Sequence, residues 1–257
     1  MPYKAAIVTD VDGTLLNNDS SLSFYTLTVL NNYKDLGCCL ILATARPWRS
    51  LQFLTQYIEP DYIISDFGAI ITPSINSLKP IIIPNDLTNS ILDEVLDSPN
   101  VCHISIETNN TLLINSKTVS LPKSWNPVYT TFSKRRNYET SKISIECNSK
   151  EYMLYLMNKY LSIQFIGNKN EDWYQLIPKG VSKGNALKDL TKYLGIDRSN
   201  IFAFGDDVSD IDMLQFAGIG IAVENAANEL KAISNYTCES NNQDGVAKWL
   251  AENLDDF

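Results

Sequence analysis

The 257 residues carry 21 Lys+Arg against 30 Asp+Glu, a formal net charge of −9, with a hydrophobic share of 44% and a charged share of 20%. This is the composition of an ordinary globular chain, long enough for one large domain or for a core with a smaller partner. The acidic balance argues against broad attraction to nucleic acid or anionic lipid, and no apolar stretch approaches the ~20 residues that span a bilayer. Nucleic-acid and membrane partners are therefore not expected. Met1-Pro2-Tyr3-Lys4 runs straight into apolar residues, so a signal peptide is not expected and the cytoplasm is the expected location. The cysteines are Cys38, Cys39, Cys102, Cys147 and Cys238, an odd set without a Cys-x-x-Cys pair. They read as small core residues in a reducing compartment rather than as a disulfide framework or a zinc site.

The first strand is predicted at Ala5-Ala6-Ile7-Val8, a short apolar run of the kind buried in parallel sheets. Asp10-Val11-Asp12-Gly13-Thr14 follows it, just past the strand's C-terminal end, where open α/β sheets place their ligands. Ordinary acidic turns use the same residue types, so the pentapeptide needs support from later segments. Ser20 to Ser23 offer caps for a helix over Leu22 to Leu36, which Gly37 ends. Cys38 to Ala43 reads as a second buried strand with Thr44-Ala45-Arg46-Pro47 at its end. Pro47 suits the first turn of a helix reaching about Ile58, and Tyr62 to Ser65 is a third strand. This alternation predicts a doubly wound, Rossmann-like parallel sheet.

From Ala69 the rhythm changes. Ala69–Thr72 and Pro80–Pro84 read as a hairpin leading away from the core, and Asp86–Leu96 as an amphipathic helix. A hairpin is predicted from Val101–Glu107 and Thr111–Asn115 around Asn109-Asn110. Lys142–Cys147 alternates as a strand, a helix follows over Lys150–Leu161, and Ile163–Ile166 with Trp173–Ile177 are further strands. These make an α+β unit that interrupts the first, giving a core over residues 1–81 and 180–257 and an insert over 82–179. After Val181-Ser182-Lys183-Gly184, a helix over Asn185–Leu194 and strands at Ile201–Phe204 and Ile219–Val223 resume the α/β pattern. Asp244 to about Leu254 is the last helix.

Three features converge at the carboxyl edge of the predicted sheet: Asp10 and Asp12, then Thr44, then Gly205-Asp206-Asp207-Val208-Ser209-Asp210. Four carboxylates so close would repel strongly in a cleft of low dielectric. A hard divalent cation resolves this, and oxygen donors with open positions suit Mg²⁺. With a metal in place Asp10 can attack phosphorus, while Asp12 can serve as general acid and then base. Thr44 would offer a hydroxyl and the following N–H, and Lys183 a fixed positive charge against the phosphoryl oxygens. His103, the one histidine, lies in a strand-like run and is read as structural or at the surface.

These motifs, in this order, resemble the haloacid dehalogenase superfamily, and the insertion point resembles the large cap of its Cof-type branch. Asp212-Met213-Leu214, Val223-Glu224-Asn225-Ala226 and Asp244-Gly245-Val246 also resemble that branch. The resemblance implies a Rossmann-like core with an inserted α+β cap, and a phosphatase. By position it makes Asp10 the nucleophile and Asp12 the acid/base. Mg²⁺ would fall to Asp10, the Asp12 carbonyl and Asp206, with Asp210 in or just behind the first shell. Phosphate would fall to Thr44, Lys183 and the Val11 and Ala45 backbone. An aspartate at position 12 disfavours the dehalogenase branch, which needs no general acid there.

There are departures. Ser209 stands where the branch usually has an Asn that helps hold phosphate, Ala45 replaces a frequent Gly, and Phe67 replaces a common Asn. Arg46 is placed either to reach the substrate or to pair with an acidic neighbour. Lys134-Arg135-Arg136 could meet an anionic substrate but reads first as a solvated face, and Trp48, Trp125 and Trp173 could line a pocket, with aromatic packing the default. The expected substrate is a small phosphorylated metabolite: a sugar phosphate, a nucleotide or a cofactor phosphate. The cap is expected to close over the site and to choose among them. A phosphomutase on the same apparatus and a non-catalytic phosphometabolite-binding module stay open as alternatives.

Overall fold

The computed structural model describes residues 3–108, 111–116, 125, 127–133, 137–167 and 172–253. Asn109-Asn110 and Lys134-Arg135-Arg136 lie outside the described residues. The chain divides into two compact units, one formed by residues 1–46, 51–79 and 182–257, the other by 47–50 and 80–181.

The first unit is built on seven strands. In chain order these are β1 (Ala5–Thr9), β2 (Cys38–Ala43), β3 (Tyr62–Ser65) and β4 (Ile70–Thr72) before the second unit. Six strands of the second unit come next, and β11 (Ile201–Gly205), β12 (Ile219–Val223) and β13 (Tyr236–Cys238) follow it. Their order across the sheet is β13-β12-β11-β1-β2-β3-β4. All neighbours are parallel except β3 and β4. Every residue of β1, β2 and β11 is buried. A strand covered on both faces must be apolar throughout, as the unbroken runs foretold.

The topology itself selects a place for chemistry. From β1 the chain winds outward through β2 and β3, then returns to the other side of β1 at β11 and winds the opposite way. Between β1 and β11 lies the switch point, where open α/β sheets leave a crevice beyond their carboxyl ends. Asp10 continues β1, its N–H donating to the Phe204 carbonyl of β11 at 3.0 Å, and Asp206 follows β11 directly.

Helices of the first unit are α1 (Phe24–Asp35), α4 (Lys183–Leu194), α5 (Ile211–Phe216), α6 (Asn228–Lys231) and α7 (Gly245–Asn253). Ser23 caps α1, its hydroxyl accepting from the Thr26 N–H, and Ser182 caps α4 from the Asn185 N–H. α4 therefore begins on Lys183 itself, two residues before the predicted start.

The second unit contains α2 (Asn85–Val95), β5 (Val101–Thr108), β6 (Leu112–Ile114), β7 (Val128–Tyr129), β8 (Thr140–Cys147), α3 (Lys150–Lys159), β9 (Ile163–Gly167) and β10 (Trp173–Pro178). Its sheet runs β7-β6-β5-β8-β10-β9. Ile91, Leu92 and Val95 of α2 and Met153 and Leu156 of α3 share one buried core with Ile104, Ile106, Ile143, Ile145 and Leu176 of the strands.

Three expectations are corrected, and one strand is added. Residues 47–58 form no α-helix: Trp48–Leu51 is a 3₁₀ turn, and bonds of mixed span continue it to Ile58. Serine, threonine and aromatic residues give this stretch weak helix propensity, and the Ser50 hydroxyl takes the Pro47 carbonyl. Ala69–Thr72 does not open a hairpin with Pro80–Pro84; β4 turns back at Asp66-Phe67-Gly68 and pairs with β3 as an antiparallel edge. Among the cysteines, Cys38, Cys39 and Cys147 are core residues, but Cys102 is exposed and Cys238 half-buried; all five are free thiols. The strand β13 was not foreseen, being short and mostly exposed.

Candidate active site

The loop after β1 turns on Gly13, whose φ of +75° suits glycine and where an added Cβ would come within 2.4 Å of Asp206 Oδ2. The turn thus packs directly against the loop after β11. Thr14 Oγ1 donates to Asp206 Oδ1 at 3.1 Å, and Asn225 Nδ2 donates to the Gly13 carbonyl at 2.7 Å. The Asp206 carbonyl accepts from the Ala227 N–H at 2.8 Å.

Lys183 reaches in from the first turn of α4. Its ammonium donates to Asp10 Oδ1 at 2.6 Å and to Asp210 Oδ1 at 2.7 Å, and its side chain is 2% exposed. Asp210 Oδ2 accepts from the Asp206 and Asp207 N–H groups at 3.1 and 3.2 Å. Both Asp210 oxygens are therefore engaged within the fold, holding Lys183 with one and the 206–207 loop with the other. Gly184 lets α4 approach α5, since a Cβ there would meet the Asp212 backbone at 2.6 Å, and the Gly184 N–H donates to Asp212 Oδ2 at 3.2 Å.

Asp10, Asp206 and Asp210 each present a carboxylate oxygen, all within 4.8 Å of one another. One ammonium faces three carboxylates in a buried space, which leaves uncompensated negative charge. The ionisation follows from that. Burial holds the Asp10 carboxyl well above the ordinary range, against the pull of Lys183, with Asp210 and Asp206 adding to the rise. Burial would lower Lys183, yet Asp10 and Asp210 hold it above the ordinary lysine value. Asp206 is pushed up to about 6, by burial and then by Asp210. An oxygen-only donor set with excess negative charge fits a hard divalent cation.

Asp12 stands apart from this cluster. Its carboxylate, about half exposed, is held in bidentate fashion by the Arg46 Nε and Nη2. The sequence leaves Arg46 between a substrate and an acidic neighbour; here it holds the neighbour. Its guanidinium also lies 5.8 Å from the Phe53 ring centre. Thr44 is buried after β2, anchored by its N–H to the Ile64 carbonyl at 2.8 Å, with its hydroxyl accepting from the Arg46 N–H at 3.1 Å. Val11 is buried and its carbonyl accepts from the Leu15 and Leu16 N–H groups. Ala45 and Ser209 are half-buried, Ser209 inside the Val208–Asp210 turn. His103 pairs with Glu146 and stacks on Trp173, as a structural residue does. Sequence reasoning assigned no task to Thr14, Asn225 or Asp212. The Asn225 and Asp212 segments were singled out only by resemblance, and only the fold shows what they hold.

A family model for haloacid dehalogenase-like hydrolases matches residues 7–250. The chain belongs to that family. The 5-amino-6-(5-phospho-D-ribitylamino)uracil phosphatase YitU of Bacillus subtilis is 31% identical over 265 residues, covering 98% of this chain and 97% of its own. A solved structure from Thermotoga maritima superposes with a TM-score of 0.84 at 24% identity, over 98% of each chain. A phosphatase of the superfamily from Bacteroides thetaiotaomicron superposes with a TM-score of 0.82 at 21% identity, over 97% of this chain and 95% of that one. The protein is a hydrolase of the phosphatase kind, in the Cof-type branch. No helix among the described residues is long and apolar enough to cross a membrane.

Proposed function

We propose that the protein is a Mg²⁺-dependent phosphomonoesterase that passes a phosphoryl group through Asp10. The observation that carries the reading is the buried Lys183 ammonium bonded to both Asp10 and Asp210, with Asp206 in the same cluster. Asp10, the Asp12 carbonyl and Asp206 would hold Mg²⁺, with Asp210 behind them. When bound, Mg²⁺ would offset the carboxylates and draw charge from the phosphoryl oxygens.

The chain's own groups then divide the work. An Asp10 carboxylate oxygen forms a bond to phosphorus as the ester P–O bond breaks, and Asp12 gives its proton to the departing oxygen. Asp12 then takes a proton from water, whose oxygen bonds to phosphorus and frees Asp10 with release of inorganic phosphate. The Lys183 ammonium, the Thr44 and Ser209 hydroxyls and the Val11 and Ala45 N–H groups bind the phosphoryl oxygens. Arg46 must leave Asp12 before that carboxyl can act, and its transfer to the substrate would accomplish this. In this reading residues 1–81 and 180–257 are the catalytic core and 82–179 the cap, and the enzyme works in the cytoplasm on a small phosphorylated metabolite.

Phosphate release from a panel of phosphorylated metabolites, with Mg²⁺ or EDTA, tests this against Asp10→Asn. The YitU compound, 5-amino-6-(5-phospho-D-ribitylamino)uracil, belongs in the panel because of that relative's activity. Turnover that needs Mg²⁺ and disappears in Asp10→Asn is the expected result. Turnover surviving in Asp10→Asn would remove Asp10 as nucleophile.

A further inference from the structure

The second unit has a feature that its own stability does not require. In β5, β8 and β10 alternate residues face opposite sides of the sheet. Ile104, Ile106, Ile143, Ile145 and Leu176 face the helices and fill the unit's core. The other face carries Ser105, Glu107, Lys142, Ser144 and Gln175. Such a face is ordinarily solvated, yet Ser105, Glu107 and Lys142 are only 7%, 5% and 7% exposed. A cavity of about 320 Å³ lies over it, the size of a small-molecule site.

The floor of the cavity is a row of small polar side chains. Cross-strand register places Ser105 opposite Ser144, and Ser144 opposite Gln175. Gln175 Oε1 is buried and accepts no hydrogen bond among the described residues. Leaving such an acceptor unmet is unfavourable, so it marks where a donor from a ligand would be rewarded. Two indoles, Trp125 and Trp173, line the cavity; Trp173 is held flat by stacking on His103, 7° from parallel. At one end the Glu107 carboxylate is clasped by Arg49 at 2.6 and 2.8 Å, while Arg49 also donates to the Trp125 carbonyl at 2.8 Å. Arg49 offsets Glu107 without a metal, and Lys142 stands in the same lining.

We infer that this cavity binds a planar heterocycle carrying a ring N–H, stacked between or against the indoles and donating to Gln175 Oε1. The inference rests on the phosphatase reading only in naming that heterocycle as the non-phosphate part of the substrate. Calorimetric titration of the whole protein with uracil, 1,3-dimethyluracil and ribitol tests it. Uracil is expected to bind, ribitol not to compete with it, and methylation of the ring N–H groups to weaken binding about tenfold. In Gln175→Leu the two pyrimidines are expected to bind alike. The inference is overturned if uracil does not bind at millimolar concentration, if ribitol binds as well, or if wild type does not distinguish the methylated ring. It also fails if Gln175→Leu keeps the distinction. The wild-type comparison stands even if the variant does not fold. Phosphate release from p-nitrophenyl phosphate, measured in parallel, separates the two readings. Release without uracil binding sinks the cavity alone, and uracil binding without release sinks the phosphatase alone.

Discussion

Lys183 is bonded to Asp10 and Asp210 in a space closed to solvent, so its charge cannot be replaced by water. In Lys183→Met, Asp10 and Asp210 stay buried without their cation, and breaking a buried ion pair from one side costs about 3–5 kcal/mol. The variant should melt well below wild type and lose activity by a factor on the order of 10²–10³, since a charge aimed at the phosphoryl oxygens goes too. Thermal melts and phosphate release at saturating Mg²⁺ check both. Arg46 is the contrasting case. Its pair with Asp12 is partly exposed, with side chains 27% and 47% accessible, and such pairs contribute about 1 kcal/mol or less. Arg46→Ala should therefore melt close to wild type, and whatever activity it loses belongs to substrate or to Asp12 rather than to folding.

Among the elements, the junction of α1 and α7 offers the clearest test. Asp244, at φ +58°, precedes α7 and accepts from the hydroxyls of Ser23, the cap of α1, and Thr26. Asp244→Ala would remove both bonds and leave an alanine in a left-handed conformation. A loss of about 1–3 kcal/mol follows, read by denaturant unfolding, with the activity of the folded fraction unchanged. The Asp244-Gly245-Val246 motif was visible in the sequence, but the partner at Ser23 lies across the chain and leaves no local signal. The same limit explains the rest. Buried parallel strands announce themselves as apolar runs, and the site motifs follow them at their carboxyl ends, so β1, β2, β11 and the Asp10, Thr44 and Asp206 positions were legible, while Lys183, which opens α4, was picked out by the family resemblance. The 47–58 stretch was not, because Pro47 signals a helix start whether or not α-helical bonds follow. Nor was the Arg46–Asp12 pair, which depends on two side chains crossing between loops.

For the whole molecule, the acidic cluster ties stability to pH and metal together. The folded state raises Asp206 from an ordinary 3.8 to about 6, so between those values the folded protein holds a proton that the unfolded chain has released. Stability linked to that proton is fully present below the unfolded value and is lost as pH rises through the folded one. Without metal, the protein should therefore become less stable between about pH 4 and pH 7, the reverse of a salt-bridged carboxylate. A divalent cation binds the deprotonated form and competes with the proton. Mg²⁺ should then raise the melting temperature strongly at neutral pH and little at pH 5. Asp206→Asn, which has no proton to exchange at that position, should reduce the pH dependence in EDTA to the part carried by Asp10 and shrink the Mg²⁺ shift. Melting curves over that pH range, with EDTA and with Mg²⁺, decide the matter. A Mg²⁺ shift as large at pH 5 as at pH 7 would show that the ion does not bind through Asp206.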